Sequence, residues 1–242
     1  MNKLLFFTAA LLIPAFCAAA PAQKTVKINT PDGCKLEAFY LAPSSGGYIF
    51  INAHGLGSDK NEWAGFQAEL EKAGFGYLSL DLRGHGASRS CGGKKADHRA
   101  FTREKWGAVY RDIQAGAAWA RKKGIGGGRL VFCGASVGAN LAFKAAMEGP
   151  VKPAALVLLS PGLEYAGVNI EAYVVSPRAF RLLAVAAPGD EYAWRSSHLI
   201  VEESLKRSLN AAFVHGGSGH GTSMLREPAV IPAILTWLNN GK

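Results

Sequence analysis

The segment Gly134-Ala135-Ser136-Val137-Gly138 follows the apolar stretch Arg129-Leu130-Val131-Phe132-Cys133 and precedes the helix-forming run Asn140-Leu141-Ala142-Phe143-Lys144-Ala145-Ala146-Met147. A buried strand, a tight turn and a helix are therefore expected in immediate succession. Such a turn leaves little room, because the helix must start close to the strand that feeds it. The glycines at 134 and 138 supply that room, and the serine between them is placed as a candidate nucleophile.

The rest of the chain extends this pattern. Short apolar runs alternate with longer amphipathic ones, which predicts an α/β fold with a mostly parallel sheet covered by helices on both faces. Strands are expected at 25–28, 35–41, 48–52, 76–81, 129–133, 155–159, 181–186 and 211–215. Helices are expected at 62–73, 99–123, 137–147, 196–208 and 229–239. The first two strands flank Thr30-Pro31-Asp32-Gly33, a turn sequence, and so read as an antiparallel hairpin.

With 242 residues the chain can bury the core of a single domain. Residues 1–22 carry Lys3, an apolar run from Leu4 to Phe16 and then small residues. That is the layout of a secretory signal peptide, with cleavage expected after Ala20-Pro21-Ala22. The apolar run is too short for a stable membrane anchor, and the bulky Phe16 argues against lipid attachment at Cys17. The expected mature domain is 23–242, exported to the periplasm or beyond. The formal charge of +9 is distributed without a long basic run, so it reads as spread over solvated faces. No nucleic-acid motif is present, and neither a metal-ligand spacing nor a cofactor motif appears. Cys133 lies in the predicted core strand and reads as a small buried thiol. Cys34 and Cys91 lie in loop-like contexts, where export makes a disulfide feasible.

A serine nucleophile needs a base within reach and an acid to orient that base. After Ser136 the histidines are His198, His215 and His220, and the single aspartate is Asp190, with Glu191 as an adjacent substitute. His220 lies in the glycine-rich loop His215-Gly216-Gly217-Ser218-Gly219-His220-Gly221, after the last predicted strand, and is the candidate base. His198 and His215 read as structural. Asp190 follows an apolar run ended by Pro188-Gly189 and is the candidate acid. His54-Gly55-Leu56-Gly57 follows another strand at the same expected edge, so the Leu56 and Val137 amides are the candidate oxyanion donors. Asp81, Arg83 and His85 read as loop scaffolding held by hydrogen bonds.

Ser136, Asp190 and His220 occur in the chain order of the α/β-hydrolases. Together with the 54–57 loop, the 81–88 loop and the 134–138 turn, they make nearly the whole mature chain resemble the serine-hydrolase branch of that superfamily. The resemblance implies an eight-stranded sheet in which only the second strand is antiparallel. In that order the second strand neighbours the fourth, so the resemblance also brings Cys34 and Cys91 together at the catalytic edge.

Serine at the turn argues against the cysteine-dependent dienelactone hydrolases and the aspartate-dependent dehalogenases of this fold. Only about twenty residues separate the strands ending at Leu159 and starting at Arg181, too few for a large cap domain. The expected activity is hydrolysis of carboxylic esters of short or medium acyl chains, on a small molecule or a polymer end. Tyr165, Tyr173 and Trp194 are candidate acyl-pocket residues. A peptidase or amidase, an acyltransferase, and a binding module on an inactive fold are the alternatives.

Overall fold

The computed structural model describes residues 22–241, so residues 1–21 of the expected leader, with Cys17, lie outside the described residues. A hairpin of β1 (Lys24–Asn29) and β2 (Cys34–Leu41) opens the chain. It is followed by β3 (Ile49–Ala53), α1 (Ala64–Lys72), β4 (Gly76–Leu80) and a short hairpin of β5 (Ser90–Cys91) and β6 (Lys94–Lys95). Then come α2 (Arg103–Ala108), α3 (Tyr110–Lys122), β7 (Leu130–Ala135), α4 (Val137–Glu148) and β8 (Ala155–Leu159). A second short hairpin, β9 (Glu164–Tyr165) and β10 (Val168–Asn169), leads to α5 (Glu171–Val174). The remaining elements are β11 (Arg181–Ala186), α6 (Glu191–Lys206), β12 (Ala211–His215) and α7 (Val230–Asn239).

The main sheet runs in the order β12-β11-β8-β7-β3-β4-β2-β5-β6, with β1 on the free edge of β2. Its eight long strands follow the expected arrangement, β2 being antiparallel to both β1 and β4 while the other pairings among them are parallel. The sheet has ten strands rather than eight, because β5 and β6 extend it. β5 meets β2 beyond the end of β4, placing Cys91 opposite Cys34 in register, and the two form a disulfide. Cys133 is free and fully buried.

The central strands β3, β4, β7 and β8 are buried along their whole length. That explains why they read as continuous apolar runs rather than alternating ones. Ile51, Leu80, Phe132 and Leu182 face a core shared with α3, α4 and α6. Phe50, Val131, Val185 and Leu183 face the opposite core with Phe66 and Leu70 of α1 and Ile234 and Leu238 of α7.

Two helix boundaries depart from the sequence reading. The run expected as one helix over 99–123 divides into a short helical turn at His98–Ala100, then α2 and α3. Extended Phe101 separates the first two, and Thr102 caps α2 through the Lys105 N–H. Helix α6 starts at Glu191, five residues before the expected Ser196, because the turn residues Pro188 and Gly189 end just before it. Among the described residues no helix is long and apolar enough to cross a membrane.

Candidate active site

Ser136 sits between β7 and α4 with φ +56° and ψ −123°, a strained backbone for a non-glycine residue. Its neighbours show why small residues are required. A Cβ on Gly138 would fall 2.2 Å from the Ala53 carbonyl oxygen, and one on Gly134 would fall 2.1 Å from the Gly138 oxygen. The turn is anchored by the Ser136 N–H, which donates to Leu159 O at 2.9 Å, and by Ala139 N–H, which donates to Ser136 O at 2.9 Å. Ser136 therefore stands at the N-terminus of α4, where the partial positive charge of the helix favours a developing anion.

His220 lies after β12 and is held by its backbone. Its N–H donates to Ser223 Oγ at 2.8 Å, and that hydroxyl donates back to His220 O. The next amide, Gly221 N–H, donates at 2.9 Å to Ser160 Oγ, a buried hydroxyl whose residue has φ +50°. Asp190 closes the turn between β11 and α6, and its Oδ2 lies 2.5 Å from His220 Nδ1. That contact leaves Nε2 as the ring atom free to act on Ser136. Ser136 and His220 line one cavity of about 300 Å³, together with Gly55, Leu56, Ser58, Glu62, Ala135, Gly221 and Thr222. Three larger surface depressions, of about 600, 590 and 560 Å³, include none of Ser136, Asp190 or His220 among their lining residues.

Neither the Leu56 nor the Val137 N–H makes a hydrogen bond within the described residues, so both donors are unpaired. Their surroundings are ordered by side chains to which the sequence reading gave no role of their own. His54, fully buried, accepts the Leu82 N–H at Nε2 (3.0 Å), so its proton resides on Nδ1, which donates to Gly55 O at 2.8 Å. Burial lowers this imidazole to about 4, keeping it neutral. From the other side the Gly55 N–H donates to Glu62 Oε1 at 3.0 Å. Burial raises the Glu62 carboxyl, while hydrogen bonds from Ser58 and Gly55 and the nearby His220 oppose that rise.

The 81–88 loop has the hydrogen-bonded character expected of it. Buried Asp81 accepts from Lys60 Nζ at 2.8 Å, the Lys60 N–H at 2.8 Å and the Ala87 N–H at 2.7 Å. Arg83 joins Asp112 and Asp32, and His85 stacks on His98 with ring centroids 3.8 Å apart. Among the described residues no group of three or more His, Cys, Asp or Glu could hold a metal ion.

Of the three aromatic candidates, Tyr165 lies beside the site, its ring edge-on to His220 at 6.2 Å. Trp194 and Tyr173 lie elsewhere. Trp194 is within α6, packed on Phe213, His215 and His198, because the early start of that helix turns it toward β12. Tyr173 packs on Phe143 and its hydroxyl donates to Glu148. His198 and His215 share the Trp194 cluster, as the structural reading expected.

Residues 34–225 match the family described as serine aminopeptidase, S33. An uncharacterized protein of Mycobacterium tuberculosis, Rv2307c, is 30% identical over 177 residues, covering 71% of this chain and 57% of that protein. The chain thus spans a little over half the length of this curated relative. Among solved structures, the Pyrococcus furiosus esterase Pf2001 superposes with a TM-score of 0.72 at 18% identity, over 91% of this chain and 90% of the other. A thermophilic esterase from Thermogutta terrifontis superposes with a TM-score of 0.66 at 16% identity, over 90% and 98%. An acylaminoacyl peptidase of Pyrococcus horikoshii gives 0.64 at 12% identity, over 83% of this chain and 37% of that one. At these identities the structural neighbours speak for the fold, and the matched residues speak for descent: the chain belongs to the serine aminopeptidase S33 family of the α/β-hydrolases.

Proposed function

We propose that the protein is an exported serine hydrolase that cleaves carboxylic esters of short or medium acyl chains. The observation that carries this reading is the Asp190–His220 contact of 2.5 Å beside a serine held at φ +56° in the same cavity. In this mechanism His220 Nε2 takes the proton of Ser136 Oγ as the oxygen attacks the acyl carbonyl. Asp190 fixes the ring through Nδ1 and stabilises the imidazolium. The Leu56 and Val137 N–H groups receive the oxyanion, each contributing roughly 3 kcal/mol to the transition state in sites of this kind. The protonated His220 then gives its proton to the departing alcohol. Water, deprotonated by the same ring, releases the acid from the acyl-enzyme.

The cavity of about 300 Å³ is at the small end for ligand sites, which favours short acyl chains or the exposed end of a larger substrate. Export is supported by the leader-like residues 1–22 and by a disulfide of the kind that persists in oxidising compartments. The description of the matched family favours one second reading, hydrolysis of an aminoacyl amide. Rates on a p-nitrophenyl ester series from acetate to laurate, beside aminoacyl p-nitroanilides, test both. Turnover of short esters with little or no anilide cleavage is expected, and the reverse preference would replace the esterase reading with the peptidase one.

A further inference from the structure

Glu62 contributes a carboxylate to the lining of the cavity, and the steps above leave it unused. It is carried on the helical turn Lys60–Trp63, which is fixed at its N-terminal end. Asp59 caps the turn through the Asn61 N–H, and Lys60 is bound to buried Asp81 and to Glu37. Oε1 accepts the Gly55 N–H. Oε2 lies 3.9 Å from where a Gly55 Cβ would sit, a point itself 3.7 Å from Ser136 Cβ. Among the residues lining the cavity, the ionisable side chains other than serine and threonine are Glu62 and His220, and His220 is already paired with Asp190. An otherwise basic protein, of formal charge +9, thus places an acidic group next to its nucleophile.

Tethering Gly55 requires only an acceptor, which a glutamine would provide equally well. A carboxylate in the same place also sets the sign of the local field, and in a partly desolvated cleft that field acts strongly on a charged substrate. Building on the ester-hydrolase reading, we propose that Glu62 is a specificity-determining residue that selects substrates bearing a positive charge close to the scissile carbonyl. The favoured class is esters with an ammonium group in the acyl or the alcohol part. Acyl groups ending in a carboxylate are disfavoured.

Isosteric pairs isolate the charge from the shape. Butyrylcholine is compared with 3,3-dimethylbutyl butyrate for the alcohol side, and methyl 4-(trimethylammonio)butanoate with methyl 5,5-dimethylhexanoate for the acyl side. Hydrolysis is followed by pH-stat in the wild-type protein and in Glu62→Gln. In the wild type, kcat/KM should favour the cation over its neutral twin by on the order of tenfold in at least one pair. Glu62→Gln should bring that ratio close to one. The ratio is internal to each protein, so a general loss of activity in the variant cancels. A wild-type ratio near one in both pairs overturns the assignment without recourse to any variant, and so does a preference that survives in Glu62→Gln. If the wild type turns over neither neutral ester nor its charged twin, the ester-hydrolase reading itself fails and the substrate assignment falls with it.

Discussion

His54 Nδ1 donates to the carbonyl oxygen of Gly55 at 2.8 Å, and that carbonyl shares a planar trans peptide with the Leu56 N–H. Fixing the oxygen therefore aims the N–H. The Leu82 N–H holds the far side of the ring, so the tautomer needed for this contact is enforced by the backbone. His54→Ala is expected to lower kcat by about 10²- to 10³-fold with a smaller change in KM, as for loss of an oxyanion donor. Steady-state kinetics check this, and a kcat within about threefold of wild type would remove His54 from the account.

The same ring makes stability dependent on pH. Its folded value of about 4 lies below the ordinary imidazole range, so between roughly pH 6.5 and 4 the unfolded chain binds the proton that the folded chain refuses. Stability is therefore full above that window and is lost as pH falls through it, by about 3 kcal/mol for His54 alone. Neighbouring His85, lowered to about 3 mainly by burial, acts in the same direction. Urea midpoints measured from pH 7.5 to pH 4 should fall steadily, and a flat profile would contradict the buried, neutral assignment.

Arg83 bridges fully buried Asp112 and partly buried Asp32, with NH2 2.6 Å from Asp112 Oδ1 and NH1 2.7 Å from Asp32 Oδ2. Arg83→Met strands the Asp112 carboxylate without a counter-charge, at a cost of about 3–5 kcal/mol. For a domain of this size that corresponds to a fall in Tm of roughly 10 °C, readable by calorimetry.

The Cys34–Cys91 disulfide closes a separation of 57 residues and ties β5 to the start of β2. By the chain-entropy argument it contributes about 4 kcal/mol. Denatured, unreduced protein covering residues 22–241 should titrate a single thiol, that of Cys133, and reductant should raise the count to three and lower Tm. Three thiols without reductant would show that the bond is absent.

Ser160 Oγ accepts the Gly221 N–H next to His220 and is itself fully buried. Ser160→Ala leaves that amide unsatisfied, with a stability loss of about 1–3 kcal/mol. A reduced kcat is expected as the backbone beside His220 loosens. Denaturant melts and kinetics on one short ester read both effects.

The legible parts of the sequence were those in which composition and geometry agree. Val131, Phe132 and Cys133, an apolar run ended by a glycine turn, read as the strand buried on both faces that they form. Gly134 and Gly138 mark the contacts a Cβ would violate, and Pro188-Gly189 before Asp190 ends a strand. The two-residue strands β5, β6, β9 and β10 carry no period and could not be read. Trp194 was misplaced by a helix boundary. Asp190 is itself a helix-start signal that would have moved the boundary to Glu191, although its carboxylate bonds His220 rather than capping the helix. Glu62 and Ser160 gave no signal, because each acts on a backbone amide distant or unmarked in sequence, Gly55 for one and Gly221 for the other.

The central claim is that Ser136 is the nucleophile, and the most direct measurement is p-nitrophenyl butyrate hydrolysis by the wild-type protein and by Ser136→Ala. The account predicts that the variant loses about 10³-fold or more in kcat/KM. Equal rates in the two proteins would contradict it.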